Sequence, residues 1–263
     1  RLAILTGLPG TGKTATMRAL VDLARAGGRR VRLCAPTGKA ARRLTQLTGA
    51  QATTIHRLLE YLPGEGFGRD AADPITGADL LIVDEASMLD VRLAAALFDA
   101  VGTKTHVLLV GDVDQLAPVG AGRVLEDLLD SGEVPSTRLT EVFRQAARSL
   151  IIRAAHAINR GEAPPTVAGE DDLRDFFVIE RAGAEAIFGE VVSLAAGRLP
   201  SHYGLDPSGG VQVLAPMHRG PAGIDAFNEA LRARLNPDGA EVPGARFRVG
   251  DRVLQRRNDH EHQ

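Results

Sequence analysis

The chain has 263 residues, 44% of them hydrophobic and 24% charged, with Lys+Arg 31 against Asp+Glu 33 and a formal net charge of −2. This supports a real core in one large domain or two modest ones and excludes a low-complexity disordered chain. No apolar run approaches the ~18–20 residues of a bilayer span, and the one cysteine, Cys34, permits neither an internal disulfide nor a cysteine-rich zinc site. The near-neutral balance argues against a globally basic nucleic-acid binder but leaves room for a local basic track. The opening RLAILTG has neither a starting methionine nor a secretory leader, so we expect a piece of a longer, soluble, cytoplasmic protein.

In chain order, Leu2–Leu5 is an apolar run closed by Thr6-Gly7, and a helix is predicted over Thr14–Ala26. Val31–Ala35 is closed by Pro36-Thr37-Gly38 and followed by a helix over Lys39–Leu47. Residues 61–77 (YLPGEGFGRDAADPITG) interrupt the pattern as a small hairpin or a surface loop. Leu80–Val83 is closed by Asp84-Glu85, a helix covers Val91–Val101, and Val107–Val110 is closed by Gly111-Asp112. Continuous apolar runs of this kind read as strands buried on both faces. The expected fold class is α/β, a parallel sheet flanked by helices, with ligands bound outside the carboxyl ends of the strands.

After a helix over Leu150–Asn159, the Pro/Gly/Ala-rich stretch Gly161–Gly169 marks a boundary, giving domains at 1–163 and 164–263. The second part reads as strand Phe176–Ile179, helix Ala184–Ala196, strand Val211–Leu214 and helix Ala222–Leu235. A hairpin is expected over Arg246–Arg257 around Gly250-Asp251. Its alternating arginines read best as a solvated face, and His260 and His262 sit in a polar tail with no metal-ligand pattern.

Gly7-Leu8-Pro9-Gly10-Thr11-Gly12-Lys13-Thr14 matches G-x-x-x-x-G-K-[ST] between a strand and a helix. Glycines let backbone N–H groups converge on phosphate, Lys13 reaches the β/γ-phosphates, and the Thr14 hydroxyl suits Mg²⁺. Gly7, Pro9, Gly10, Thr11, Gly12, Lys13 and Thr14 are therefore the expected ATP-binding residues. Asp84 suits the Mg²⁺-associated carboxylate at a neighbouring strand end, and Glu85 the group that activates water, which points to hydrolysis. Cys34 reads as a buried strand residue without chemistry.

Four further segments narrow the reading: Gly111-Asp112-Val113-Asp114-Gln115-Leu116-Ala117-Pro118, Ala35–Ala41, Asp84-Glu85-Ala86-Ser87 and Leu139-Thr140-Glu141-Val142-Phe143-Arg144-Gln145. Together they resemble the superfamily 1 DNA helicases, most closely the RecD-like branch of 5′→3′ helicases. The resemblance is strongest over about residues 1–160 and resumes at Val211–Pro221, which is similar to the opening of that family's second motor domain.

The resemblance implies a RecA-like P-loop NTPase domain followed by part of a second one. It implies Gln115 as γ-phosphate sensor and Arg144 as the arginine reaching that phosphate, so that Lys13, Asp84, Glu85, Gln115 and Arg144 form the catalytic set. It also implies single-strand contacts at Thr37, Gly38, Lys39, Thr54 and His56, and a strand-splitting pin at 61–77. The implied activity is ATP-dependent translocation on single-stranded DNA and unwinding at a duplex junction, in repair and recombination. No membrane is expected, protein partners are left open, and a monomer is one of the expected states. The 5′→3′ polarity comes from the resemblance alone. The family's adenine-contacting glutamine and the arginine of its second domain fall outside the chain. Two rivals stand beside this reading: a nucleotide-gated single-strand-binding module without autonomous unwinding, and a small-molecule kinase.

Overall fold

The structure, a computed structural model, describes residues 1–253 apart from Ala168, Glu170, Asp171 and Pro207, and apart from the side chains of Arg144 and Gln145. His260, His262 and the end of the expected terminal hairpin lie outside the described residues. In chain order the first part comprises β1 (Leu2–Gly7), α1 (Lys13–Ala26), β2 (Val31–Ala35), α2 (Gly38–Thr48), β3 (Ala52–Thr54), α3 (Ile55–Leu58) and β4 (Leu80–Val83). There follow α4 (Val91–Ala100), β5 (His106–Gly111), α5 (Val124–Asp130), β6 (Ser136–Leu139), α6 (Arg144–Ala147) and α7 (Leu150–Asn159).

The six strands form one sheet in the order β3-β2-β4-β5-β1-β6, with every pairing parallel. Its inner strands are mostly apolar because successive side chains serve opposite faces, with Arg32 of β2 the exposed charged exception. Along β4, Leu81 and Val83 join Ile4, Cys34, Leu109 and the α4 residues Leu93 and Leu97 on one face. Ile82 joins Leu5, Leu33, Val110, Met17 and Val21 of α1 and Leu44 of α2 on the other. Burial pushes the Cys34 thiol up to about 12, which suits an inert core residue.

Register makes the carboxyl ends of the strands coincide. Thr6 pairs with Gly111, Cys34 with Val83, Val83 with Leu109, and Ala35 with Thr54. The loops after β1, β2, β4 and β5 therefore leave from one edge of the sheet.

Two strands were not foreseen. β3 and β6 have the sequences ATT and STRL, and each borders the sheet on one side, so neither carries an apolar run. The domain boundary also moves: the chain divides into two compact units, Arg1–Phe177 and a second beginning at Val178. Residues just after 163 stay with the first unit because Leu173 N–H donates to Arg148 O at 2.7 Å. Asp175 likewise accepts from Ser149 Oγ at 2.6 Å and Leu150 N–H at 2.8 Å, capping α7.

The second unit contains α8 (Ala184–Ser193), a π-helical turn at Leu194–Arg198, α9 (Leu199–Tyr203) and α10 (Ile224–Leu235). Phe188 stacks on Phe227 with ring centroids 5.4 Å apart, joining α8 to α10. The strands expected at Phe176–Ile179 and Val211–Leu214 do not form among the described residues. Among the described residues neither finds a strand neighbour to take its backbone hydrogen bonds, and the side chains of Phe177 and Leu214 are exposed. A turn at Val242–Ala245 with an antiparallel bridge between Glu241 and Arg248 precedes the expected reversal. The chain also turns at Gly250, where Asp251 N–H donates to Arg248 O at 3.0 Å, and the end of the second arm of the expected hairpin lies outside the described residues. The Arg248 guanidinium is spent on the carbonyls of Asn236 and Pro237 at 3.1 and 2.8 Å.

The core assignment predicts that Leu109→Ala, at a fully buried site in β5, costs about 2–5 kcal/mol in urea denaturation. Leu23→Ala, on the 70% exposed face of α1, stays within about 0.5 kcal/mol. Equal losses at the two positions would contradict the burial described.

Candidate active site

The loop from β1 to α1 takes its shape from glycine. Gly10 and Gly12 have φ of +81° and +86°, the left-handed region where side chains are strained. Space is also short there. A Cβ on Gly12 would lie 2.3 Å from the Phe143 ring, and one on Gly10 would lie 2.7 Å from the Ala146 Cβ. Phe143 N–H donates to Gly10 O at 3.2 Å, so the segment after β6 is packed directly on the loop. Thr11 Oγ1 donates to Leu8 O at 2.8 Å, while Pro9 and Thr14 are half-buried. α1 opens on Gly12 with no side-chain cap and no acidic residue in its first turn, leaving its N-terminal N–H groups and dipole for an anion.

Lys13 Nζ donates to the carbonyls of Gly7 and, at 3.1 Å, Leu8. It also stands 3.8 Å from Asp112 Oδ2. Asp112 follows the last residue of β5 and is 2% exposed; its Oδ1 accepts from Asp114 N–H at 3.1 Å, while its buried Oδ2 has no hydrogen-bond partner. Sequence reasoning gave Asp112 no role. The signal was its place at a strand end, but the adjacency of β5 to both β1 and β4 is visible only in the sheet.

Asp84 continues β4 by one residue, its N–H donating to Cys34 O at 2.9 Å. Burial raises its carboxyl above the ordinary carboxylate range, against the pull of the Glu85 N–H, Arg43 and Lys13. Glu85 is raised by burial first and then by the charge of Asp84, again opposed by Arg43 and Lys13. The Glu85 backbone is left-handed (φ +53°, ψ +40°), a conformation costing about 1–2 kcal/mol in a non-glycine residue. That turn lifts the side chain off the strand direction at the sheet edge.

Lys13, Asp84, Glu85 and Asp112 thus share one electrostatic site. Gln115 meets it only through its backbone, the N–H donating to Asp112 O at 3.2 Å; no side-chain hydrogen bond or ion pair of Gln115 occurs among the described residues. It is exposed in the loop after β5 and lines a small pocket with Ser87, Arg123 and Glu126. The Arg144 side chain lies outside the described residues; its backbone opens α6 directly after Phe143.

The expected strand-binding residues gather at the adjacent ends of β2 and β3. Thr37 Oγ1 accepts from Ala40 N–H at 3.2 Å and Thr54 Oγ1 from Arg57 N–H at 3.1 Å, capping α2 and α3. Each hydroxyl keeps its own O–H to donate. Gly38, Lys39, Arg42, Arg43 and His56 are exposed beside them. In the 61–77 segment a single antiparallel bridge, Leu62 to Gly66, makes a tight turn. Tyr61 and Phe67 pack against each other at 5.1 Å and against His56 at 5.4 and 5.9 Å. Arg69 ties the segment to Glu60 at 2.7 Å and Asp73 at 2.8 Å.

A glycine loop opening a helix, with a lysine facing paired carboxylates across a parallel sheet, defines a P-loop nucleoside triphosphatase domain. Residues 1–175 match the family model described as AAA domain. The chain is 45% identical to an ATP-dependent RecD2 DNA helicase of Deinococcus radiodurans over 99% of this chain and 34% of that protein. It is 34% identical to the RecBCD enzyme subunit RecD of Mycolicibacterium smegmatis over 98% of this chain and 52% of that protein. A solved Pif1 helicase from Candida albicans is 21% identical, with a TM-score of 0.49 over 76% of this chain and 51% of that one. The chain belongs to the AAA-domain family, in its RecD-like helicase branch. It spans about a third to a half of the length of these two curated relatives. Among the described residues no helix is long and apolar enough to cross a membrane.

The raised carboxyls carry a stability consequence. The folded chain holds the Asp84 proton more tightly than the unfolded one, so this group's contribution to stability falls as pH rises through the folded pKa. Asp84→Asn is therefore expected to unfold at higher urea than the unaltered chain at pH 7 without added metal. The difference should close as pH falls to about 4, the ordinary carboxylate range. A less stable variant at pH 7 would contradict the burial cost assigned to Asp84.

Proposed function

We propose that this chain is the nucleotide-hydrolysing part of an ATP-dependent DNA helicase. The observation that carries this reading is the convergence of Lys13, Asp84 and Glu85 at one sheet edge beside an uncapped helix start. The names of the relatives, a RecD2 DNA helicase and RecD subunits of RecBCD, support the DNA substrate.

ATP phosphates would lie on the N–H groups of the glycine loop, with Lys13 at the β/γ-phosphates. The donor set fits Mg²⁺. Thr14 and Asp84 offer hard oxygens at a half-buried site, and the Asp84 carboxyl is raised by burial, a cost that a cation lowers. No group of three or more His, Cys, Asp or Glu able to hold a metal occurs among the described residues. This matches an ion held by one or two side chains together with substrate phosphate. When bound, Mg²⁺ would supply charge neutralisation for the phosphates.

Glu85 takes the proton of the attacking water as its oxygen bonds the γ-phosphorus and the bond to the β-phosphate oxygen breaks. A raised carboxyl is better matched to that task than an ordinary one. Gln115 and Arg144 would report the γ-phosphate to neighbouring segments. Thr37, Gly38, Lys39, Thr54 and His56 would hold single-stranded DNA, and 61–77 would meet the duplex junction. Residues from 164 onward would begin the second motor domain, and movement would run 5′→3′.

In nucleotide titrations Lys13→Ala is expected to lose ATP binding at least tenfold while keeping its urea midpoint. Glu85→Gln is expected to bind ATP as the unaltered chain does and to release phosphate at least a hundredfold more slowly. Unchanged ATP affinity in Lys13→Ala, or unchanged turnover in Glu85→Gln, would remove the respective residue from its role. Transfer of the phosphate to an acceptor other than water would favour the kinase reading.

A further inference from the structure

The reading above uses Lys13, Asp84 and Glu85 but leaves the most buried carboxylate of the site without a task. Asp112 is 2% exposed, and its Oδ2 has no hydrogen-bond donor among the described residues. A buried acceptor left unpaired is costly, and such a group calls for an explanation. The nearby cation is Lys13, at 3.8 Å. Lys13 itself is folded toward the loop, donating to Gly7 O and Leu8 O. Its ammonium therefore already has two carbonyls and a buried carboxylate for company. An incoming phosphate must draw Lys13 out of that arrangement.

We propose that Asp112 is a positioning residue that acts through Lys13, holding its ammonium in the loop and competing for it with the phosphates of the nucleotide. Resting on the nucleotide-binding reading, this assigns Asp112 to the release of spent nucleotide rather than to the chemical step. The Asp112 charge opposes anion binding by engaging the Lys13 ammonium that the phosphates need. Without it, nucleotide is held longer. The other carboxylate oxygen has a separate, structural duty, accepting the Asp114 N–H at 3.1 Å to shape the turn after β5. The two duties can be split by substitution, because Asn keeps an oxygen for Asp114 while losing the charge.

The test measures affinity and dissociation rate of a fluorescent ADP on the 263-residue chain. Asp112→Asn is expected to bind about tenfold more tightly, through slower dissociation. Asp112→Ser, too short to reach Lys13 but still able to accept the Asp114 N–H, should do the same. In a Lys13→Ala background the gain disappears, because the effect passes through that ammonium. Unchanged or weaker ADP binding in folded Asp112→Asn and Asp112→Ser would overturn the proposal, as would a gain that persists without Lys13. A purely structural role predicts loss of affinity, never gain. If the unaltered chain binds no ADP, the nucleotide reading itself fails, and that outcome is distinct from binding that Asp112 does not alter.

Discussion

Crowding of like charge at the end of a hydrophobic sheet is the constraint on which this structure turns. Asp84, Glu85 and Asp112 stand near one another, with Arg43 and Lys13 as the cations that oppose their charge. Left to themselves, partly dehydrated carboxylates would separate or take up protons. They stay together because β1, β4 and β5 are neighbours whose ends coincide in register, and because the core residues of these strands are almost all inaccessible. Hydrophobic burial along the strands thus offsets electrostatic cost at their ends. The left-handed backbone of Glu85 belongs to the same account, as local strain held by well-packed surroundings.

The frame also connects the phosphate loop to segments that would report on it. Phe143 and Ala146 sit against Gly12 and Gly10, so substitution of either glycine would push on the start of α6. On the other side, β2 lies between β4 and β3, and Thr37 and Thr54 leave from its edge beside Asp84. One strand spacing, ~4.8 Å, separates neighbouring elements of this edge.

Much of this was legible in the sequence, for physical reasons that differ by element. β1, β4 and β5, and β2 apart from its exposed Arg32, announce themselves as apolar runs, and the glycine loop is a local pattern that needs no tertiary information. β3 and β6 border the sheet with polar residues, so no periodicity betrays them. The apolar stretches at Phe176–Ile179 and Val211–Leu214 look like strands, but a strand exists only with a neighbour, and none pairs with them among the described residues. Asp112 escaped because its significance is relational. Gly111-Asp112 at a strand end says little until β5 is seen between β1 and β4. Gln115 shows the converse, a residue given a role by resemblance, whose backbone bonds Asp112 while its exposed side chain lines a small pocket with Ser87 and the α5 residue Glu126.

The central claim is that this edge hydrolyses ATP and that DNA governs it. Phosphate release from ATP by the 263-residue chain, with and without single-stranded DNA and with Lys13→Ala as the blank, tests it most directly. The account predicts release that requires Lys13 and rises when single-stranded DNA is added. Release that survives Lys13→Ala, or that is indifferent to DNA, would contradict it.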